Sequence, residues 1–203
     1  MTDNASGLLR AAHRSLAAAN EDDFEFRRAI SASYYAVYHQ LAQSFADALV
    51  GEVEDERPNR AWIEVYRGLD HSACLHACKL AVSRKVSFPE ALLAVADEFG
   101  QLQIARQEAD YHPQLKLERH AADMCVQLAE SCVSKLRTTS RHDIVAFAAW
   151  VLITTKGAKL ARDSLYPVSN SVPPAKSKPG QAQSRHGSGG SSRPRKPTHS
   201  RRH

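Results

Sequence analysis

Residues 24–50, FEFRRAISASYYAVYHQLAQSFADALV, decide the fold. Ile30, Tyr34, Val37, Leu41, Phe45 and Leu49 recur at the three- and four-residue steps that put side chains on one face of an α-helix. Ala29, Ser31, Ala32, Ser33 and Ala36 lie between them, small enough for other helices to approach closely. A helix apolar on more than one face belongs at the centre of a bundle. The hydroxyls of Tyr34, Tyr35 and Tyr38 then need polar partners at the edge of the core.

The flanking sequence keeps the same period. No run of alternating β-branched residues is long enough to argue for a sheet, so the chain reads as all-α, a compact bundle of five to six helices. A first helix is expected over Ala5–Ala19 and the central one over Phe24–Val50. A third, marked by Trp62, Val65, Tyr66 and Leu69, is interrupted near Gly68, and Ser72–Arg84 either continues it or forms a helix of its own. Ser87-Phe88-Pro89-Glu90 has the form of a capping box, with Ser87 as N-cap, and opens a helix to Asp110. Leu115–Thr138 follows, its buried side expected at Leu117, Ala121, Met124, Leu128 and Val133. A last helix is expected over Arg141–Arg162.

Charge separates the body from the tail. The 203 residues carry a formal charge of +5, yet residues 1–163 hold all 22 acidic groups against 19 Lys and Arg, while the remaining 8 basic residues face no acid. Residues 167–203 contain 6 Pro, 4 Gly and 8 Ser without one aromatic, too little apolar surface to offset the entropy of ordering. The expected organisation is a helical domain over 1–165 and a disordered basic tail over 166–203. That tail either keeps the protein soluble or tethers a polyanion such as RNA through Arg193, Arg195, Lys196, Arg201 and Arg202, without sequence preference.

No N-terminal stretch joins a basic start to an apolar core, so the expected location is cytoplasmic. The most apolar run, IVAFAAWVLIT at 144–154, falls well short of the roughly 20 residues that span a bilayer and reads as a buried helix, with no membrane contact. Cys74, Cys78, Cys125 and Cys132 read as reduced thiols in the core. His71 with Cys74 and Cys78 has a metal-like spacing but lacks a fourth ligand nearby, and no CxxC pair exists, so no metal is assigned.

The chemistry concentrates in Arg106-Gln107-Glu108-Ala109-Asp110-Tyr111-His112-Pro113. Arg106 continues the stripe of Leu92, Val95, Phe99 and Leu102, so a guanidinium lies on an apolar face, with Asp110 one turn on as an ion-pair partner. Pro113 stops the helix and pushes His112 out of the α region, freeing its ring. An arginine can stabilise the growing charge of a phosphorane, and a histidine near its ordinary pKa can take a proton from a ribose 2′-hydroxyl. The structural alternative pairs Arg106 with Asp110 and leaves His112 as a turn residue.

Taken together, RRAISASYYAVYH at 27–39, the Phe88-Pro89 helix start, the 106–113 stretch and AFAAWVL at 146–152 resemble a HEPN domain over residues 5 to 160. That resemblance implies a helical bundle, a homodimer and, through an R-x4-6-H motif falling on Arg106 and His112, an endoribonuclease that needs no metal or cofactor and leaves 2′,3′-cyclic phosphate ends. It further implies a site shared across the dimer, RNA as substrate, and a toxin or defence role with an antitoxin or nucleotidyltransferase as partner. Gln107, Asp110, Tyr111 and His39 are the supporting residues: Asp110 to orient a cation, Tyr111 to stack on a base, His39 behind the site. Active relatives more often carry Asn, Asp or His after the arginine, and ADYxP relatives commonly carry aspartate at the position of His112. The other reading is therefore a non-catalytic interaction module that binds nucleotide, RNA or protein.

Overall fold

A computed structural model describes residues 3–20, 22–84 and 86–165, and the tail read from composition lies outside them. The described residues form eight α-helices, one 3-10 turn at Glu54–Glu56 and no strand. The all-α reading holds, with more helices than the five to six expected.

α2 (Asp23–Val50) is the axis. Ile30, Tyr34, Val37, Leu41 and Phe45 are at most 2% exposed, and Ala29, Ser33, Ala36 and Gln40 bury further faces. α1 (Asn4–Ala18), α3 (Asn59–Arg67), α5 (Glu90–Tyr111), α6 (Arg119–Thr138) and α7 (Arg141–Leu152) all pack against it. Leu49, expected on the buried stripe, is exposed where the helix runs out at Gly51, whose φ of 137° lies in the region that favours glycine. Phe45 meets Phe147 of α7 edge to face, and Tyr34 stacks on Phe99 of α5.

α3 and α4 (His71–Ser83) are separate helices. The Gly68 amide closes α3 on the carbonyls of Glu64 and Val65, and a Cβ there would stand 2.8 Å from the Glu64 oxygen. Asp70 opens α4 by accepting from the Ala73 amide.

Three boundaries differ from the sequence reading. α5 starts at Glu90 with Pro89 as its N-cap, not in a capping box on Ser87, because Phe88 is drawn aside to pack on Phe147 and Trp150. α6 starts at Arg119 rather than Leu115, because the backbone of 115–117 is bonded instead to α2. The last helix is two, α7 and α8 (Lys156–Leu165), meeting at 120°. The Ile153-Thr154-Thr155 run breaks it, and Arg162 folds back onto the carbonyls of Ala149 and Ile153 and over the Trp150 ring.

The buried side of α6 agrees with the sequence reading at Val133, with Leu117 and Leu128 partly buried against the core, and differs at Ala121 and Met124. Its buried stripe is Ala122, Cys125, Val126, Ala129, Cys132, Val133 and Leu136, while Met124 is 44% exposed and Ala121 faces outward. Small residues go inward where helix backbones meet closely, and the flexible methionine is left at the surface. All four cysteines are buried free thiols. No single helix among the described residues is long and apolar enough to cross a bilayer, and the apolar run in α7 is spent on the core through Ile144, Phe147, Ala148, Trp150 and Val151.

Candidate functional site

The first half of α2 carries Arg27, Ser31 and Tyr35 four residues apart, a polar stripe along a largely buried helix. It faces the last turn of α5, and the two helices enclose a shallow cleft of about 400 Å³ lined by Arg27, Arg28, Ser31, Tyr35, Arg106 and Asp110 among others.

Arg106 is largely covered, its side chain 21% exposed. Its Nε lies 2.6 Å from Oδ2 of Asp110, off the line a hydrogen bond needs, so the contact is between charges. Its Nη2 donates to the Tyr35 hydroxyl at 3.1 Å, and the guanidinium carbon sits 5.6 Å from the Tyr35 ring centre and 5.2 Å from that of Tyr111. Burial works against the charge, but Asp110 and the hydroxyls of Tyr35 and Tyr111 more than offset it and hold the Arg106 pKa above its ordinary value. Asp110 also accepts from Ser31 Oγ, so the carboxylate is held from both helices.

The segment after α5 is pinned by a second arginine. Arg27 Nη1 donates to the carbonyls of Ala109 at 2.5 Å and His112 at 3.2 Å, Nη2 to that of Leu115, and Nε to Asp23 at 2.5 Å. Asp23 accepts in turn from the Leu117 amide. A cation at a helix C-terminus satisfies carbonyls that have no partner within the helix. Arg27 and, behind it, the bond from Leu117 hold the Asp23 carboxyl below the usual carboxylate range.

His112 is the C-cap of α5, with φ −104° and ψ 92°, the extended geometry expected before Pro113. Its backbone is fully engaged: the amide donates to Glu108 and the carbonyl accepts from Leu115 and Arg27. Its side chain is exposed and does not line the Arg106 cleft. Gln107 is exposed as well, and Tyr111 is 71% exposed. The structure thus brings together Arg106, Asp110 and Tyr111 and leaves His112 at the rim.

His39 is placed elsewhere. Its Nδ1 lies 2.7 Å from the Tyr66 hydroxyl, inside an aromatic cluster where Tyr66 stacks on Trp62. His71 occupies the place nearer Arg106: it stacks on Tyr38 at 3.9 Å, meets the Tyr34 hydroxyl through Nδ1 at 2.5 Å and touches the edge of Tyr35. Burial pushes both histidine pKa values down, for His39 with help from His71 and for His71 with help from Arg106 against Asp70. Cys74 is tied to Cys78, and among the described residues no three His, Cys, Asp or Glu converge on a metal position.

Sequence reasoning took 27–39 mainly as packing, drawing only His39 toward the site, and so missed Arg27, Arg28, Ser31 and Tyr35. The signal was present in the four-residue spacing of Arg27, Ser31 and Tyr35, a polar stripe on the central helix. No family model matches the chain, and neither the curated proteins nor the solved structures give a match.

Proposed function

We propose that the chain is a HEPN-type endoribonuclease acting as a homodimer, with Arg106 and His112 as its catalytic residues. The observation that carries the reading is a largely covered Arg106 set in a cleft beside Arg27 and Arg28, each guanidinium held by one carboxylate, Asp110, Asp23 and Glu25 in turn, with the Arg28 side chain 59% exposed. Such a cleft attracts phosphate irrespective of base sequence.

In the proposed reaction, RNA lies along the cleft with its scissile phosphate against Arg106. His112 takes the 2′-hydroxyl proton, the 2′-oxygen attacks phosphorus, and the 5′-oxygen leaves with a proton from a second histidine, giving a 2′,3′-cyclic phosphate and a 5′-hydroxyl. Arg106 answers the charge that develops on the phosphorane oxygens. One chain presents one His112, at the rim of its own cleft, so the second proton-transfer group comes from a second copy. Asp110 and Tyr35 orient Arg106, and Tyr111 offers a face for a base. Because the nucleophile belongs to the substrate, the step calls for no metal or cofactor. A toxin or defence role, with an antitoxin or nucleotidyltransferase as partner, fits such an activity.

The second reading is a non-catalytic module that binds RNA, nucleotide or protein. It is favoured by the ion pair of Arg106 with Asp110, which gives the guanidinium a structural partner. Purified protein incubated with structured and unstructured RNA in EDTA separates the two. Wild type is expected to cut, with Arg106→Ala and His112→Ala each at least about a hundredfold slower. Equal or absent cleavage in all three sinks the nuclease, and a monomer by light scattering sinks the shared site.

A further inference from the structure

The second concentration of cationic groups shares no residue with the Arg106 cleft. α4, α7 and α8 enclose a cavity of about 450 Å³ whose lining includes Arg84, Lys159, Arg162, Leu80, Val151 and a single carboxylate, Asp163. Arg84 is the C-cap of α4, its side chain 13% exposed. Nη1 pairs with Asp163 at 2.8 Å, but Nε is buried without a hydrogen-bond partner among the described residues. An uncompensated buried donor on a charged group is costly and marks a place where an acceptor belongs.

Arg162 is the α8 residue next to Asp163, its guanidinium 4.5 Å from the Trp150 ring centre and Nη2 committed to the carbonyls of Ala149 and Ile153. Burial holds its pKa below the ordinary arginine value. Lys159 is exposed at the mouth and free to reach inward. Leu80 and Val151 give the floor an apolar surface, and His76 and Thr154 add polar groups to the lining. A volume of this size suits a small organic ligand, more than a bare inorganic ion fills.

We propose that this cavity binds a small phosphomonoester, its phosphate held by Arg84, Lys159 and Arg162 and its apolar or aromatic body laid against Leu80 and Val151. Phosphate has oxygens enough to pair with more than one cation, the role for which planar guanidiniums are suited, and a turn of the Arg84 side chain away from Asp163 brings its covered Nε to an acceptor. The site is independent of the ribonuclease reading.

The test is calorimetric titration of the full chain with AMP, adenosine and inorganic phosphate. AMP is expected to bind saturably, with adenosine and inorganic phosphate each weaker by at least about tenfold, since each lacks half of the contacts. Lys159→Ala, at an exposed position that leaves folding alone, and Arg84→Gln are each expected to weaken AMP about tenfold or more. Three results would overturn the proposal: no saturable AMP binding, inorganic phosphate binding as tightly as AMP, or both variants, shown folded by circular dichroism, binding AMP like the wild type. The last would place the nucleotide on other basic groups of the chain.

Discussion

Replacing Arg27 by methionine removes the clamp on the segment that carries His112 while keeping an apolar stem of similar length. The carbonyls of Ala109 and Leu115 lose the arginine as donor, that of His112 is left with the Leu115 amide alone, and Asp23 loses its ion pair. A hydrogen bond from a charged donor is worth about 1.5–3 kcal/mol. Water can replace part of this, because the His112 carbonyl lies at the surface. The net loss is therefore about 2–4 kcal/mol, concentrated in one region.

The loss also has a pH signature. Asp23 has a folded pKa below its ordinary 3.8, with Arg27 as the first cause, so its contribution is present above about 3.8 and fades as pH falls through the folded value. The deficit of Arg27→Met should thus be largest at neutral pH and narrow below about pH 4. Urea denaturation at several pH values measures it, and hydrogen exchange locates it at residues 109–117. A deficit under about 1 kcal/mol with unchanged exchange there would refute the clamp and show that Pro113 and the local turn hold the segment unaided.

Other perturbations test the surrounding frame. His39 and His71 both have pKa values pushed below 6.5 by burial, so the unfolded chain binds more protons than the folded one just below that pH, and stability should fall as pH drops from about 7 to 5. In His71→Gln that fall should be shallower by urea melts, and an unchanged slope counts against it. Phe99→Ala, at a fully buried position stacked on Tyr34, should cost about 3–5 kcal/mol in the same assay, and a loss below about 1 kcal/mol would mean that Phe99 does not fill the core. Gly51→Ala places a side chain at φ 137° and should cost about 1–2 kcal/mol, whereas a neutral result would show the turn able to relax.

What could be read from the sequence follows the range of the interactions involved. The helices declared themselves because helical period is local, and α2 was legible as the axis because its sequence is apolar on several faces. Boundaries set by distant packing were not legible. Ser87 and Glu90 have the local chemistry of a capping box, but a few tenths to about 1 kcal/mol of capping does not compete with burying Phe88 against two aromatic rings of α7. On α6 the reading holds at Val133 and in part at Leu117 and Leu128 but fails at Ala121 and Met124, where the closeness of neighbouring helices selects Ala122 and Cys125 instead.

The site shows the same division more sharply. The ion pair of Arg106 with Asp110 is an i,i+4 contact and was visible in the residues alone. The groups that give it direction, Ser31 and Tyr35, stand 79 and 71 residues away in the chain. Pro113 ends the helix as its chemistry requires, yet ending a helix does not fix where the next residues go. Arg27 and Asp23 do that from 82 to 94 positions upstream, by taking up the carbonyls and the amide that the broken helix leaves open. The backbone around His112 is therefore anchored on the helix that also forms the centre of the core. A substitution that shifts α2 along its axis moves the two halves of the Arg106 cleft relative to each other, so core packing and site geometry cannot vary separately in this fold.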